Sequence, residues 1–204
     1  MRRVLISFLA VSLCVVALSA MWIVRADDVL KFKAKFSGFE EVGSLNAETG
    51  AILSLGTATL NLTLDKAAQT VTYTLTYSFP STTSVLQSHI HFGKIHVPGN
   101  IMVFLCTNKG NGPSGVAVPA CPTFEGTVTG TITAAAVEAI PSQNILTAGD
   151  FDALVSALTS HTAYANIHTS AFQAGEIRGQ VEPERPPHGR FGFGGFPGPG
   201  GFSR

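Results

Sequence analysis

Polar and apolar residues alternate with a period of two through most of this chain. Residues 31–36 interleave Lys31, Lys33 and Lys35 with Phe32, Ala34 and Phe36, which predicts a half-exposed strand near a sheet edge. Residues 56–64 alternate strictly between threonine or asparagine and Ala58, Leu60, Leu62 and Leu64. After a turn at residues 65–68, residues 70–77 alternate again, so the two segments read as an antiparallel pair. Residues 101–105 (Ile101, Met102, Val103, Phe104, Leu105) are continuously apolar and read as a buried central strand. Residues 124–133, 162–169 and 176–181 return to strand patterns. The period changes only at residues 147–158. There Phe151, Leu154, Val155 and Leu158 recur at helical spacing, with Thr147 or Gly149 as cap and acids in the first turn. The pattern predicts an all-β chain, an antiparallel Greek-key β-sandwich with one short helix.

The two ends fall outside this pattern. Residues 1–26 place Arg2 and Arg3 before an apolar run from Val4 to Val24, the layout of a secretory signal. Small residues precede candidate cleavage sites after Ala26 and after Ala20, and an uncleaved anchor is the competing reading of the same run. Residues 183–204 are rich in Gly, Pro and Phe without periodicity, a composition expected to stay disordered. Residues 27–182 remain as one domain, long enough for its own core.

Composition narrows the function classes. Net charge is zero and only 13% of residues are charged, with no basic cluster, so no nucleic-acid surface is expected. Of the 3 cysteines, Cys14 lies in the signal, leaving Cys106 and Cys121 as an even pair in an oxidising compartment. They bracket a Gly/Asn-rich loop and are expected to form a disulfide; soft-metal ligation is the other use of such thiols. The expected location is secreted, periplasmic or extracellular.

Candidate chemistry centres on Ser88-His89-Ile90-His91-Phe92-Gly93-Lys94-Ile95-His96, which holds three of the 6 histidines. In a strand, His89 and His91 point the same way, their attachment points ~6.6 Å apart. Two imidazoles so placed converge on one ion. His168, on a later strand segment, adds a third nitrogen ligand, and His96 is an optional fourth. Neutral imidazoles suit copper or zinc, with copper preferred because the set holds no thiolate. Glu176 and Arg178 share a strand face, as do Asn166 and His168. Glu176 and Asn166 are candidates for orienting the ligand rings from behind, and Arg178 for drawing a small anion to the site. His161 is expected to cap the helix C-terminus, and His188 to be solvated in the tail. Ser88 and Ser170 neighbour histidines but lack a nucleophile-elbow pattern.

Ser88-His89-Ile90-His91, Tyr164-Ala165-Asn166-Ile167-His168-Thr169 and Gly175-Glu176-Ile177-Arg178-Gly179-Gln180 together resemble the signatures of the CHRD domain, named after chordin. Phe36-Ser37-Gly38-Phe39-Glu40-Glu41-Val42 and residues 56–64 resemble its start. The resemblance spans nearly all of residues 31–181. It implies a secreted fold without an assigned reaction, and its pattern includes His89, His91 and His168 but not His96 or His161. A looser, fold-level similarity is to copper-zinc superoxide dismutases, exported Greek-key sandwiches with His-x-His on one strand, a late histidine and an arginine near the copper; no zinc-loop cluster follows His91 here.

Two function classes follow. One is a metal-binding protein, expected to hold copper, with zinc as the alternative. If catalytic, it would carry out one-electron redox chemistry on a small oxygen species or anion, as in superoxide dismutation, with Arg178 guiding the anion. The other is a non-catalytic structural or interaction module, or a copper storage or delivery protein. No protein partner is indicated.

Overall fold

The computed structural model describes residues 28–42, 50–81 and 83–184. The predicted signal lies outside these residues, as does the predicted tail apart from Pro183 and Glu184. Pro183 belongs to the fold, in a two-residue strand. No helix among the described residues is long and apolar enough to cross a membrane.

The strands are β1 (Val29–Phe36), β2 (Thr57–Asp65), β3 (Thr70–Ser78), β4 (Val85–Phe92), β5 (Asn100–Thr107), β6 (Glu125–Ile132), β7 (Ala163–Thr169), β8 (Ile177–Gln180) and β9 (Glu182–Pro183). They form two antiparallel sheets, ordered β6-β3-β2-β1-β9 and β5-β4-β7-β8. In each run of four the last strand returns beside the first, β6 beside β3 and β7 beside β4, which is Greek-key connectivity. The expected all-β sandwich is therefore the observed architecture.

Period-two alternation determines which side chains meet between the sheets. Leu60, Leu62 and Leu64 of β2 and Val71, Tyr73 and Leu75 of β3 face inward, joined there by Ile90 of β4, Ala165 and Ile167 of β7, and Ile177 of β8. Burying each leucine contributes about 1.5–3 kcal/mol. Lys31, Lys33 and Lys35 lie on the solvent face of β1. Two core tyrosines keep their hydroxyls bonded: Tyr73 donates to Leu105 C=O at 2.6 Å and Tyr77 to Pro122 C=O at 2.6 Å. Desolvation pushes Tyr73 up to about 12.

At one lateral edge the sheets are stitched together. Ser37 N–H donates to Arg178 C=O at 2.9 Å and Arg178 N–H to Ser37 C=O at 3.1 Å. Here Gly179 passes so close to β1 that an added Cβ would sit 2.4 Å from Lys35 C=O. Beyond it β9 crosses to the other sheet, pairing Glu182 with Lys33 and Pro183 with Phe32.

Two expectations are corrected. The apolar run 101–105 is an edge strand rather than a central one. It is buried on both faces because its pairing with β4 shifts register twice and because its outer edge is covered, Glu138 N–H donating to Met102 C=O at 2.8 Å. The helix, α1 (Phe151–Thr159), is capped neither by Thr147 nor by Gly149 but by Asp150, whose carboxylate accepts Ala153 N–H at 2.9 Å. Its predicted face is confirmed by the burial of Phe151, Leu154 and Leu158. Cys106 and Cys121 form the expected disulfide.

Candidate metal centre

The inner faces of β4 and β7 are apolar, so their alternate residues gather on the opposite face of the β5-β4-β7-β8 sheet. There β4 presents Gln87, His89 and His91, and β7 presents Tyr164, Asn166 and His168. The register sets Gln87 opposite His168, His89 opposite Asn166, and His91 opposite Tyr164. On the other side of β4, His89 faces Phe104 between the two register shifts, its ring centroid 4.4 Å from that of Phe104 at 85°. Loops cover this face so fully that His89 is 0%, His91 7% and His168 8% exposed.

His89, His91 and His168 each offer a ring nitrogen, and the three nitrogens lie within 4.8 Å of one another. Backbone carbonyls select the tautomers of two rings. Nδ1–H of His91 donates to Gly99 C=O at 2.9 Å, and Nδ1–H of His168 donates to Gln173 C=O at 2.9 Å. Each of these two rings then carries its lone pair on Nε2, that of His168 facing His89 and that of His91 facing Asn166. Nε2 of His168 accepts from Nδ1–H of His89 at 3.2 Å. The remaining nitrogen, His89 Nε2, is buried without a hydrogen-bond partner. Such an orphan costs about 1–3 kcal/mol.

Burial also keeps the rings neutral. Desolvation is the largest effect on all three, lowering His89 to about 2 and His91 to about 4 and placing His168 below its usual range. The charges of neighbouring imidazoles push His89 and His91 in the same direction. Neutral imidazole is the form that binds a cation. His91 Nε2 lies 3.0 Å from the side-chain oxygen of Asn166, so Asn166 does adjoin a ring nitrogen, that of His91. With His91 neutral and its proton on Nδ1, the contact is a hydrogen bond when the amide turns its NH₂ toward the ring.

The donor set fits a small divalent ion. Metal–nitrogen bonds of about 2.0–2.1 Å put nitrogen pairs about 3.3 Å apart in a tetrahedral site. The His89–His168 pair is already at that spacing, with the proton of His89 Nδ1 to be given up if that nitrogen ligates, and the trio, within 4.8 Å of one another, has to close by up to about 1.5 Å.

Arg178 is 1% exposed. Its guanidinium carbon lies 3.4 Å from the centroid of the Tyr164 ring, and its NH groups donate to Lys94 C=O at 2.9 Å and Val97 C=O at 3.2 Å. The Tyr164 ring in turn stacks on His91, centroids 4.7 Å apart and planes within 6°. Glu41, 2% exposed, favours the charge of Arg178 from nearby. Tyr164 and Glu41 lie in segments that carry the family resemblance, but the sequence assigns neither a role at the site. Period-two spacing of Tyr164, Asn166 and His168 carried the signal for the first, while nothing local marks the second.

Three further residues lie elsewhere. His96, the optional ligand, is an exposed loop residue at φ 56°, and its Nε2 pairs with Glu40 at 2.8 Å. His161 does not cap α1; it sits at φ 60° with Nδ1 2.7 Å from a Glu182 carboxylate oxygen. The Glu176 carboxylate meets no imidazole in the hydrogen bonds of the site: it accepts from Ser54 Oγ at 2.6 Å and from Thr169 Oγ1 at 2.5 Å. His188 lies outside the described residues. Ser88 Oγ donates to Asn166 C=O at 2.8 Å, and Ser170 Oγ accepts from Ser84 N–H at 3.1 Å, so neither hydroxyl is paired with an imidazole.

A family model of the CHRD domain matches residues 32–181, the whole sandwich apart from the first three residues of β1 and the two-residue β9. No curated protein and no solved structure matches the chain.

Proposed function

The chain belongs to the CHRD domain family, and from that premise we propose that it is an exported protein that binds one transition-metal ion, copper in preference to zinc, through His89, His91 and His168. The observation that carries this reading is the convergence of three buried, neutral imidazoles, two of them oriented by backbone carbonyls. Copper is favoured over harder cations because the set is all nitrogen. An exported location agrees with the Cys106–Cys121 disulfide.

A copper ion held there would supply one-electron exchange with a small oxygen species such as superoxide. The chain's own part is to fix the ligands. Gly99 and Gln173 carbonyls hold two rings at a set tautomer, Asn166 meets His91 from β7, and the covering loops keep water from the trio. Arg178, engaged with two carbonyls and an aromatic face, does not supply the anion guide of the superoxide dismutase analogy.

A second reading is storage or delivery of copper without turnover. The near-complete burial of the three rings favours it, because a site for rapid exchange with a dissolved substrate needs an open coordination position. Elemental analysis of protein purified without chelators, followed by a superoxide-dependent rate assay, separates the readings. Copper at one per chain with a rate supports the redox function, and copper without a rate supports storage. Folded protein that takes up neither copper nor zinc at micromolar exposure rejects both and leaves the structural or interaction module.

A further inference from the structure

Arg178 is the charged side chain that the metal reading leaves without a task, and it is among the most completely buried residues of the described chain. A guanidinium is retained in such a place when its planar fork and its face are both engaged. Here the fork holds Lys94 and Val97 carbonyls and the face covers Tyr164. Both engagements act on the same loop. Residues 93–99 run from the end of β4 to the start of β5, and Arg178 pins the middle of that loop from β8. The far end is Gly99. Its N–H donates to Tyr164 Oη at 3.1 Å, and its C=O accepts from Tyr164 O–H at 3.3 Å and from His91 Nδ1–H at 2.9 Å. Gly99 approaches Phe92 so closely that an added Cβ would lie 1.8 Å from Phe92 C=O, so the carbonyl is delivered by a tight backbone crossing.

We propose that Arg178 and Tyr164 are positioning residues for His91: Arg178 clamps the 93–99 loop and presses Tyr164 flat on the imidazole, and together they aim Gly99 C=O at Nδ1, holding the ring proton there and leaving Nε2, beside Asn166, as the unprotonated nitrogen. Arg178 acts through Tyr164 and the loop and touches neither ion nor substrate. The role differs from anion attraction: both terminal nitrogens of Arg178 already donate within the fold, Nη1 to Val97 C=O and Nη2 to Lys94 C=O and Gln180 Oε1.

The proposal deepens the metal reading but has a readout independent of it. In metal-free protein, long-range ¹H–¹⁵N spectra report which nitrogen of each histidine carries the proton. The wild type is expected to show His91 as a single Nδ1–H tautomer. Arg178→Lys keeps a positive charge but loses the fork and the stacking plane. It is expected to mix the tautomers of His91 while leaving His89 and His168 unchanged, and to weaken zinc(II) binding about 10- to 100-fold in competition with a chromophoric chelator. Tyr164→Phe, which keeps the stack and loses the hydroxyl, is expected to fall between Arg178→Lys and wild type. Tyr164→Phe also carries the test if Arg178→Lys does not fold, with mixed His91 tautomers as the expected result. A single unchanged His91 tautomer in folded Arg178→Lys, or in Tyr164→Phe alone if the lysine variant is unfolded, overturns the proposal. A wild type that binds no zinc removes the metal reading and leaves the tautomer comparison to decide the clamp.

Discussion

Nδ1 of His89 lies 3.2 Å from Nε2 of His168, a contact between rings 79 residues apart in the chain. Because Gln173 C=O holds the proton of His168 on its other nitrogen, the bond runs from His89 to His168. An ion entering between them must replace a hydrogen bond that already has about the spacing of two metal ligands. Removing His168 therefore takes away a ligand and strands a buried N–H of His89. His168→Ala is expected to lower copper or zinc affinity more than 100-fold and to destabilise the metal-free fold by about 1–3 kcal/mol. His96→Ala, which removes only an exposed pair with Glu40, is expected to leave affinity unchanged and stability within about 0.5 kcal/mol. Chelator competition and urea unfolding check both variants. Equal losses in the two would put His96 back at the site.

Neutral burial makes the histidines acid-sensitive. In the unfolded chain each ring takes a proton near its ordinary value of 6.5, whereas in the fold His91 stays neutral to about 4 and His89 to about 2. Between those limits the unfolded state binds more protons, so stability rises with pH up to about 6.5 and is lost as pH falls below it. The slope is at most about 1.4 kcal/mol per pH unit for each such ring. Metal-free wild type followed by urea unfolding from pH 7.5 to pH 4.5 is expected to show this decline. His89→Phe, an aromatic replacement beside Phe104, is expected to show a slope shallower by about one proton. Parallel slopes would mean that His89 is charged or exposed in the fold.

Much of this architecture was legible in the chain because strand alternation reports which side of a sheet is wet. Residues 56–64 and 70–77 alternate cleanly because one face of their sheet meets solvent, and they became β2 and β3 with the expected pairing. The same rule put His89 and His91 on one face. It could not tell that this face is the one turned from the core, since loops bury it again. Residues 101–105 misled because apolar side chains on both faces normally signal a central strand, and here a doubly shifted edge strand is covered from outside. The expected roles of His96 as an optional ligand and of His161 as a helix cap fail for one reason: both sit at positive φ in loops, with partners, Glu40 and Glu182, that are distant in sequence. The orienting groups of the site are the carbonyls of Gly99 and Gln173, and a backbone carbonyl leaves no mark in a sequence.

The Cys106–Cys121 bridge closes a segment with a sequence separation of 15. That segment carries Asn108, which donates to Val85 C=O at 3.0 Å and Cys121 C=O at 2.9 Å, and Asn111, which donates to Gln87 at 3.0 Å. Gln87 stands opposite His168, so the loop braces the start of β4 across from one of the three candidate ligands. Replacing both cysteines by serine is expected to cost about 3 kcal/mol through the freed unfolded chain. A comparable loss on adding reductant to wild type, measured by urea unfolding, would confirm that the bridge and not the serines is responsible. No change on reduction would show that the asparagine bonds alone hold the loop.

Glu176 offers the sharpest separation between supporting the fold and serving the metal. Its carboxylate accepts from Thr169 Oγ1 on β7 and from Ser54 Oγ on the segment leading to β2, so it ties a covering loop to the strand that carries His168. Hydrogen bonds to a charged group contribute about 1.5–3 kcal/mol each when buried. Glu176→Gln keeps the shape but offers one acceptor oxygen, and if Thr169 Oγ1 accepts from the new NH₂ as well as from Phe172 N–H at 3.2 Å, its own O–H loses the acceptor it has in Glu176. The expected result is a loss of about 1–3 kcal/mol in urea unfolding, with copper and zinc affinity changed less than about threefold once the protein is folded. Were Glu176 to orient a ligand imidazole, affinity would instead fall about 10- to 100-fold with little loss of stability. Measuring both quantities on the one variant distinguishes the two roles, because each predicts a large effect where the other predicts a small one.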